Sequence, residues 1–231
     1  IEGPQAVREA LAEGGLLELY AEPGRSPELV KAARAAGVPV VEVAAPVLAA
    51  MGETVTPQGL LGVAALLDVP LDEALARPGL VAVLHEVADP GNAGTVLRTA
   101  DAAGADAVVL TAGSVDAYNG KCVRATAGSL WHLPVVAGVP LDDVLAAARA
   151  AGLQVLATSG QGEDDLDDLA DGGVLAAPTA WLFGNEAGGL PPASLAAADR
   201  QVRVPLHGRA ESLNLASAAA VCLYASARAR R

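Results

Sequence analysis

The sequence predicts an α/β protein: a small N-terminal α/β module followed by a mostly parallel sheet with helices on both faces. Three observations carry this reading. Apolar residues make up 52% of the chain but aromatics only 3%, so the core must be built from Ala, Val and Leu, the packing of buried parallel strands beneath helices. Short apolar runs alternate with helix-periodic stretches along the whole length. Glycines fall where those helices should stop, and Pro27 falls where one should start.

In the opening stretch Val7, Ala10 and Leu11 recur at helical spacing, and Gly14-Gly15 end the helix. Residues 16–21 read as a strand. Ser26 is placed to cap a helix with Pro27 at its first position and Gly37 as its stop. A strand over 38–43, a short helix over 46–51 and a strand over 58–66 complete the small module. Residues 71–78 form a polar connector ending at Arg77-Pro78-Gly79. The division expected is a module of residues 1–72, a linker of 73–79 and a larger domain of 80–231. In the larger domain strands are expected over 80–86, 107–111, 135–139, 153–158, 179–183 and 202–205. Helices are expected over 92–103, 121–129, 141–151 and 212–228, with an acidic loop after residue 158.

Composition bounds the function. No apolar run reaches the roughly 20 residues that a membrane helix needs, and no signal-peptide pattern follows Ile1. Cys122 and Cys222 stand alone, without CxxC spacing or a His/Cys cluster. They read as small buried hydrophobes of a cytoplasmic protein with no metal. The net charge of −12 opposes a nucleic-acid partner at first sight. It is unevenly spread, however. Residues 1–75 carry 4 basic and 11 acidic side chains, and six of the 16 acids beyond them crowd between Glu163 and Asp171. A locally basic surface is therefore open to the larger domain.

Three motifs can carry chemistry. Asp89-Pro90-Gly91-Asn92-Ala93-Gly94 lies between a strand end and a helix start, with Arg98 six residues beyond Asn92. Here Asn92 is either a helix cap or a site residue. Gly184-Asn185-Glu186, with Gly188-Gly189 after it, also follows a strand, and its glycines let a ligand approach the backbone. The third runs from Val202-Arg203-Val204-Pro205-Leu206-His207 to Ser212-Leu213-Asn214, where Ser212 or Asn214 opens the last helix. His207 reads as incidental. Rival signatures are missing: there is no GxGxxG, Walker lysine, GxSxG or HExxH.

Taken together, Asn92…Arg98, Gly184-Asn185-Glu186 and Ser212-Leu213-Asn214, with the stretch from Tyr118-Asn119 through Arg124-Ala125-Thr126-Ala127-Gly128 to Pro134, resemble the blocks of the SpoU (TrmH-like) family of RNA 2′-O-methyltransferases in the SPOUT superfamily. The resemblance runs from about residue 81 to the end. More weakly it extends to the start, where Glu2-Gly3-Pro4-Gln5-Ala6 resembles the family's L30e-like RNA-binding domain. It implies a trefoil knot in the C-terminal segment, a departure from the usual rule of unknotted chains. It also implies a homodimer and S-adenosylmethionine as cofactor. By position Thr158, Gly184, Asn185, Val204, Leu206 and Leu213 would line the cofactor pocket. Arg98, Asn92, Glu186, Ser212 and Asn214 would form the catalytic set, and Lys121, Arg124, Arg203 and Arg209 are candidates for RNA phosphates.

Methyl transfer to a ribose hydroxyl needs in-line reactants and a group to take the proton. The resemblance makes Arg98 the catalytic arginine. A guanidinium holds its proton to a pKa above about 12, so Arg98 is either the base or a phosphate clamp, with Glu186 or the phosphate taking the proton. The substrate expected is a structured RNA, ribosomal RNA ahead of transfer RNA. The rival readings are a catalytically silent RNA-binding protein on the same scaffold, a SPOUT enzyme that methylates a base nitrogen, and an unrelated nucleotide-binding enzyme.

Overall fold

The computed structural model describes residues 1–231. The chain runs α1 (Pro4–Ala12), β1 (Leu16–Ala21), α2 (Pro27–Ala35), β2 (Val40–Glu42), α3 (Ala45–Met51), β3 (Leu60–Ala64) and α4 (Leu71–Ala74). It continues with β4 (Leu80–Leu84), α5 (Pro90–Ala103), β5 (Ala107–Thr111), α6 (Gly120–Thr126), β6 (Val135–Val139), α7 (Leu141–Ala150) and β7 (Gln154–Thr158). The last elements are β8 (Asp164–Asp165), α8 (Leu166–Asp171), β9 (Thr179–Phe183), α9 (Pro192–Ala196), β10 (Arg200–Arg203) and α10 (Leu215–Ala229).

The small sheet has the order β2-β1-β3, with β2 parallel and β3 antiparallel to β1. The large sheet has the order β6-β5-β4-β9-β7-β10-β8, and every adjacent pair in it is parallel. Its central strands are apolar on both sides because both sides are covered. Leu80, Ala82 and Leu84 of β4 join one core cluster, while Val81 and Val83 join the other. Trp181 and Phe183 of β9 divide from Ala180 and Leu182 in the same way. The first cluster also takes in Ala6, Val7, Ala10, Leu19 and Leu60, so the small module shares its core with the face that carries α5, α6 and α10. No helix is long and apolar enough to cross a membrane, and nowhere are three His, Cys, Asp or Glu side chains gathered to hold a metal ion.

Several local expectations need correction. Ser26 makes no side-chain capping bond and sits at φ 44°. Asn92 is not the cap of α5. Asp89 is, accepting from the Asn92 backbone N–H at 2.8 Å, with Pro90 at the first helical position. Ser212 does not open α10; Asn214 caps it, accepting from Ala216 and Ser217. The helix expected over 121–129 stops at Thr126, because Ala127 and Gly128 both take positive φ. The acidic stretch is not merely a loop. It forms β8 and α8, since Leu166 and Leu169 bury on one side while Asp165 caps the helix and Asp167 and Asp168 favour its N-terminus. The strand expected over 202–205 lies at Arg200–Arg203. Its polar start escaped hydrophobic patterning, and only tertiary pairing with β7 and β8 defines it. The helix α9 was not expected at all.

Acidic groups of the small module meet cations of the larger domain. Glu2 pairs with Arg124 at 3.4 Å. The His132 ring lies 2.8 Å from Asp101 through Nδ1 and 3.4 Å from Glu9 of α1 through Nε2. The Asp101 contact, and after it Glu9, hold the His132 pKa above 6.5 despite partial burial. A raised folded value means that this contribution is complete below about pH 6.5 and is lost as pH rises through that value. Between about pH 6 and pH 8.5 the melting temperature of the intact chain should fall by about 1–2 °C more than that of His132→Gln, a small effect because the ring is exposed. Parallel melting curves for the two proteins would rule the clasp out.

Candidate functional site

The topology of the large sheet decides where the motifs meet. The strands β4, β9, β7 and β10 are neighbours in that order and all point the same way. Their carboxyl ends therefore form one continuous edge. After β4 comes the segment from Glu86 to Asn92, after β9 Gly184-Asn185-Glu186, after β7 Ser159-Gly160, and after β10 Val204-Pro205-Leu206. The chain turns back here, placing the late strand β9 beside the early strand β4. Such a reversal is where open parallel sheets leave a crevice at their carboxyl edge.

At the β4–β9 junction the first two motifs are locked together. One oxygen of the Glu186 carboxylate accepts from the Ala88 N–H at 3.1 Å. The other accepts from the Asp89 N–H at 3.1 Å and from the Asn92 side-chain amide at 3.0 Å. Asn214 donates its amide to Asn92 Oδ1 at 3.1 Å, which brings in the third motif at the start of α10. Asn185 donates to the Glu86 carbonyl at 2.7 Å, and its backbone exchanges two bonds with Gly189 that close the loop tightly. Glu86 itself is held at φ 52°. Partial burial alone would raise the Glu186 pKa, but the donors from Asn92, Ala88 and Asp89 outweigh it and hold the group below 4.5. Glu186 is thus an anion with three N–H donors already on it.

Beside this network lies a cleft of about 610 Å³. All six residues expected to line a cofactor pocket line it: Thr158, Gly184, Asn185, Val204, Leu206 and Leu213. Glu186, Ser212 and Arg203 reach it as well. Its walls combine bare backbone at Gly160, Gly184 and Gly189 with apolar Val204, Leu206, Leu213 and Leu215 and the hydroxyls of Thr158 and Ser159. A Cβ on Gly160 would meet nothing within 4 Å. Such a mixture of bare backbone, apolar wall and a few polar groups fits a nucleoside carrying an aliphatic arm.

The cations divide. Arg203 is bound to Asp165 at 3.2 Å and to the carbonyls of Gly162 and Glu163, so it ties the acidic segment to the cleft. Arg124 is engaged by Glu2, and the Lys121 ammonium lies 2.7 Å from Asp89. Arg98 and Arg209 are exposed and form none of the ion pairs. Arg98 stands on α5 outside the Asn92–Glu186 network.

The family model described as the SpoU rRNA Methylase family matches residues 79–224, and the model described as RNA 2′-O ribose methyltransferase substrate binding matches residues 1–69. The chain belongs to the SpoU rRNA methylase family. Among relatives of this SpoU methylase, the 23S rRNA (guanosine(2553)-2′-O)-methyltransferase RlmP of Bacillus subtilis is 38% identical over 226 residues, covering 97% of this chain and 86% of that one. The 23S rRNA (uridine(2479)-2′-O)-methyltransferase of Streptomyces viridochromogenes is 36% identical over 178 residues, 73% of this chain and 60% of that one. The structure of the SpoU methyltransferase AviRb from Streptomyces viridochromogenes in complex with the cofactor AdoMet superposes with a TM-score of 0.85 at 30% identity, over 100% of this chain and 88% of that one. An AdoMet-bound rRNA methyltransferase from Sinorhizobium meliloti gives 0.84 at 33% identity, over 99% and 86%.

Asp89 binds the Asn92 backbone and Asp165 lines the cleft, and the motifs assign neither a role. Asp89 was legible as a cap, being an Asp directly before a Pro that starts a helix. Asp165 gives no such signal, because its partner Arg203 lies far along the chain and only the pairing of β10 with β8 brings the two together.

Proposed function

We propose that this SpoU methylase transfers the methyl group of S-adenosylmethionine to a ribose 2′-hydroxyl of ribosomal RNA. The observation that carries the reading is the juncture of the Asn92–Glu186–Asn214 network with the cleft that holds all six expected cofactor residues. Bound there, the cofactor supplies an electrophilic methyl group. The chain's own residues do the rest. Gly184, Val204, Leu206 and Leu213 exclude water and enclose the bound molecule, while Asn185 fixes the loop around it. Glu186 keeps Asn92 in place and, with three N–H donors already stabilising its anion, is poorly suited to take a proton. Ser212 and Asn214 face the ribose side. Arg98, exposed and free of carboxylates, orients the target phosphate and ribose, which leaves the proton to the phosphate or solvent. Lys121 and Arg209 meet neighbouring phosphates.

The same reading assigns residues 1–72 to RNA binding and residues 73–79 to the link, with a knotted C-terminal segment in the larger domain. It places the protein in the cytoplasm. It also pairs two copies across the exposed side of α10, because Val221 and Tyr224 stand 42% and 52% exposed there. The test is transfer of labelled methyl from S-adenosylmethionine to unmodified ribosomal RNA, followed by digestion to nucleosides. Label on a 2′-O-methylnucleoside, reduced roughly 100-fold by Arg98→Ala, is the expected result. Label on a base nitrogen would overturn the ribose assignment. No label and no cofactor binding would leave only an RNA-binding scaffold.

A further inference from the structure

Asp89 joins Asn92, Lys121 and Glu186. One carboxylate oxygen accepts from the Asn92 backbone N–H at 2.8 Å, and the other lies 2.7 Å from the Lys121 ammonium. Its own backbone N–H donates to Glu186 at 3.1 Å. The residue that caps α5 therefore also tethers α6 through Lys121, and it anchors the carboxylate that holds the Asn92 side chain. The neighbouring position is a glycine for a steric reason: a Cβ on Gly91 would fall 2.8 Å from Asp89 Oδ1 and 3.1 Å from Lys121 Cε. A methyl group there would make both side chains shift to clear it.

We infer that Asp89 is a positioning residue for methyl transfer: its two carboxylate oxygens set Asn92 and the Lys121 ammonium side by side, so that a phosphate neighbouring the target nucleotide meets Lys121 while the target ribose meets Asn92. This rests on the RNA methyltransferase reading above. The geometry leaves the lysine free to act. An ammonium has three protons, Asp89 takes one, and the Lys121 side chain remains 57% exposed to an incoming anion. The N-terminus of α5, 14 residues long, adds its dipole on the same side. The Lys121 contact, followed by the Asn92 N–H, also lowers the Asp89 pKa below its ordinary value, so the carboxylate is ionised at neutral pH.

Capping and positioning come apart under Asp89→Asn. Asparagine caps a helix as well as aspartate does but cannot hold the ammonium as an ion pair. Asp89→Asn, Lys121→Met, Lys121→Arg and the Asp89→Asn/Lys121→Met double variant are compared in the same labelled-methyl assay on ribosomal RNA, with melting curves and cofactor titration alongside. The expected result is an unchanged melting temperature and cofactor affinity for Asp89→Asn, with kcat/KM for RNA down about tenfold or more. Lys121→Met falls equally, Lys121→Arg keeps most of the rate, and the double variant is no worse than either single one. In Lys121→Met the slope of log kcat/KM against log salt becomes shallower by about one. Wild-type rates for Asp89→Asn, or losses that multiply in the double variant, would overturn the inference while leaving the methyltransferase intact. An intact chain that methylates no RNA removes both.

Discussion

Replacing Glu186 with glutamine is expected to cut methyl transfer by roughly tenfold to a hundredfold while leaving cofactor affinity near its original value. The reason is donor counting. Glu186 accepts from the Ala88 and Asp89 amides and from the Asn92 side chain, three N–H donors on one carboxylate. Glutamine offers one acceptor oxygen and turns an NH₂ towards donors, so at least one bond becomes a repulsion. The segment from Ala88 to Asn92 then loses its anchor, and Asn214 loses a fixed partner in Asn92. The group is exposed enough for solvent to soften the loss, which sets the lower end of the range. The pH profile separates positioning from base catalysis. The pKa of Glu186 is depressed, so its contribution is present above pH 4.5 and is lost as pH falls through the folded value. A rate-limiting ionisation near neutrality that disappears in Glu186→Gln would make Glu186 the base and refute its role as an anchor.

Gly184→Ala should abolish measurable cofactor binding and lower stability by about 1–3 kcal/mol, the range for forcing an extra methyl into a packed site. A Cβ at this position would stand 2.5 Å from Leu190 N and 2.6 Å from the Gly189 oxygen, both backbone atoms, and the oxygen is held by the Asn185 N–H. The loop cannot yield without opening the wall of the cleft. Gly188→Ala is the matched control: the new methyl meets nothing within 4 Å, and binding should be unchanged. Titration calorimetry with S-adenosylmethionine on the two variants reads the contrast. Equal affinities would mean that the loop is pliable and does not shape the pocket.

Much of this protein was legible because its local signals and its tertiary structure agree. The apolar runs at residues 80–84, 107–111 and 179–183 are strands because their Val, Leu and Ala side chains bury on both faces of a covered parallel sheet. The stops at Gly104 and Gly152 follow from their left-handed φ values of 74° and 82°. The six residues that the resemblance assigns to a cofactor pocket all line one cleft.

Where the reading failed, the deciding interaction lay far away in sequence. Nothing local distinguishes Asn92 as a cap from Asn92 as a network residue. The choice is made by Asp89 taking the cap, which frees the Asn92 amide to reach Glu186, 94 residues on. In the acidic stretch the charges mask two leucines from hydrophobic patterning, and α8 exists because those leucines have a core to enter. Arg124 and Arg203 are candidates for RNA phosphates, and only the fold shows that Glu2 and Asp165 engage them across 122 and 38 residues of chain. By itself the sequence determined most of the element types, the alternation that makes the sheet parallel, and the residue types of the motifs. Only the tertiary structure decided that β9 lies beside β4, and with it which carboxylate faces which amide, because hydrogen-bond partners are set by distance in space and a strand order leaves no trace in local periodicity.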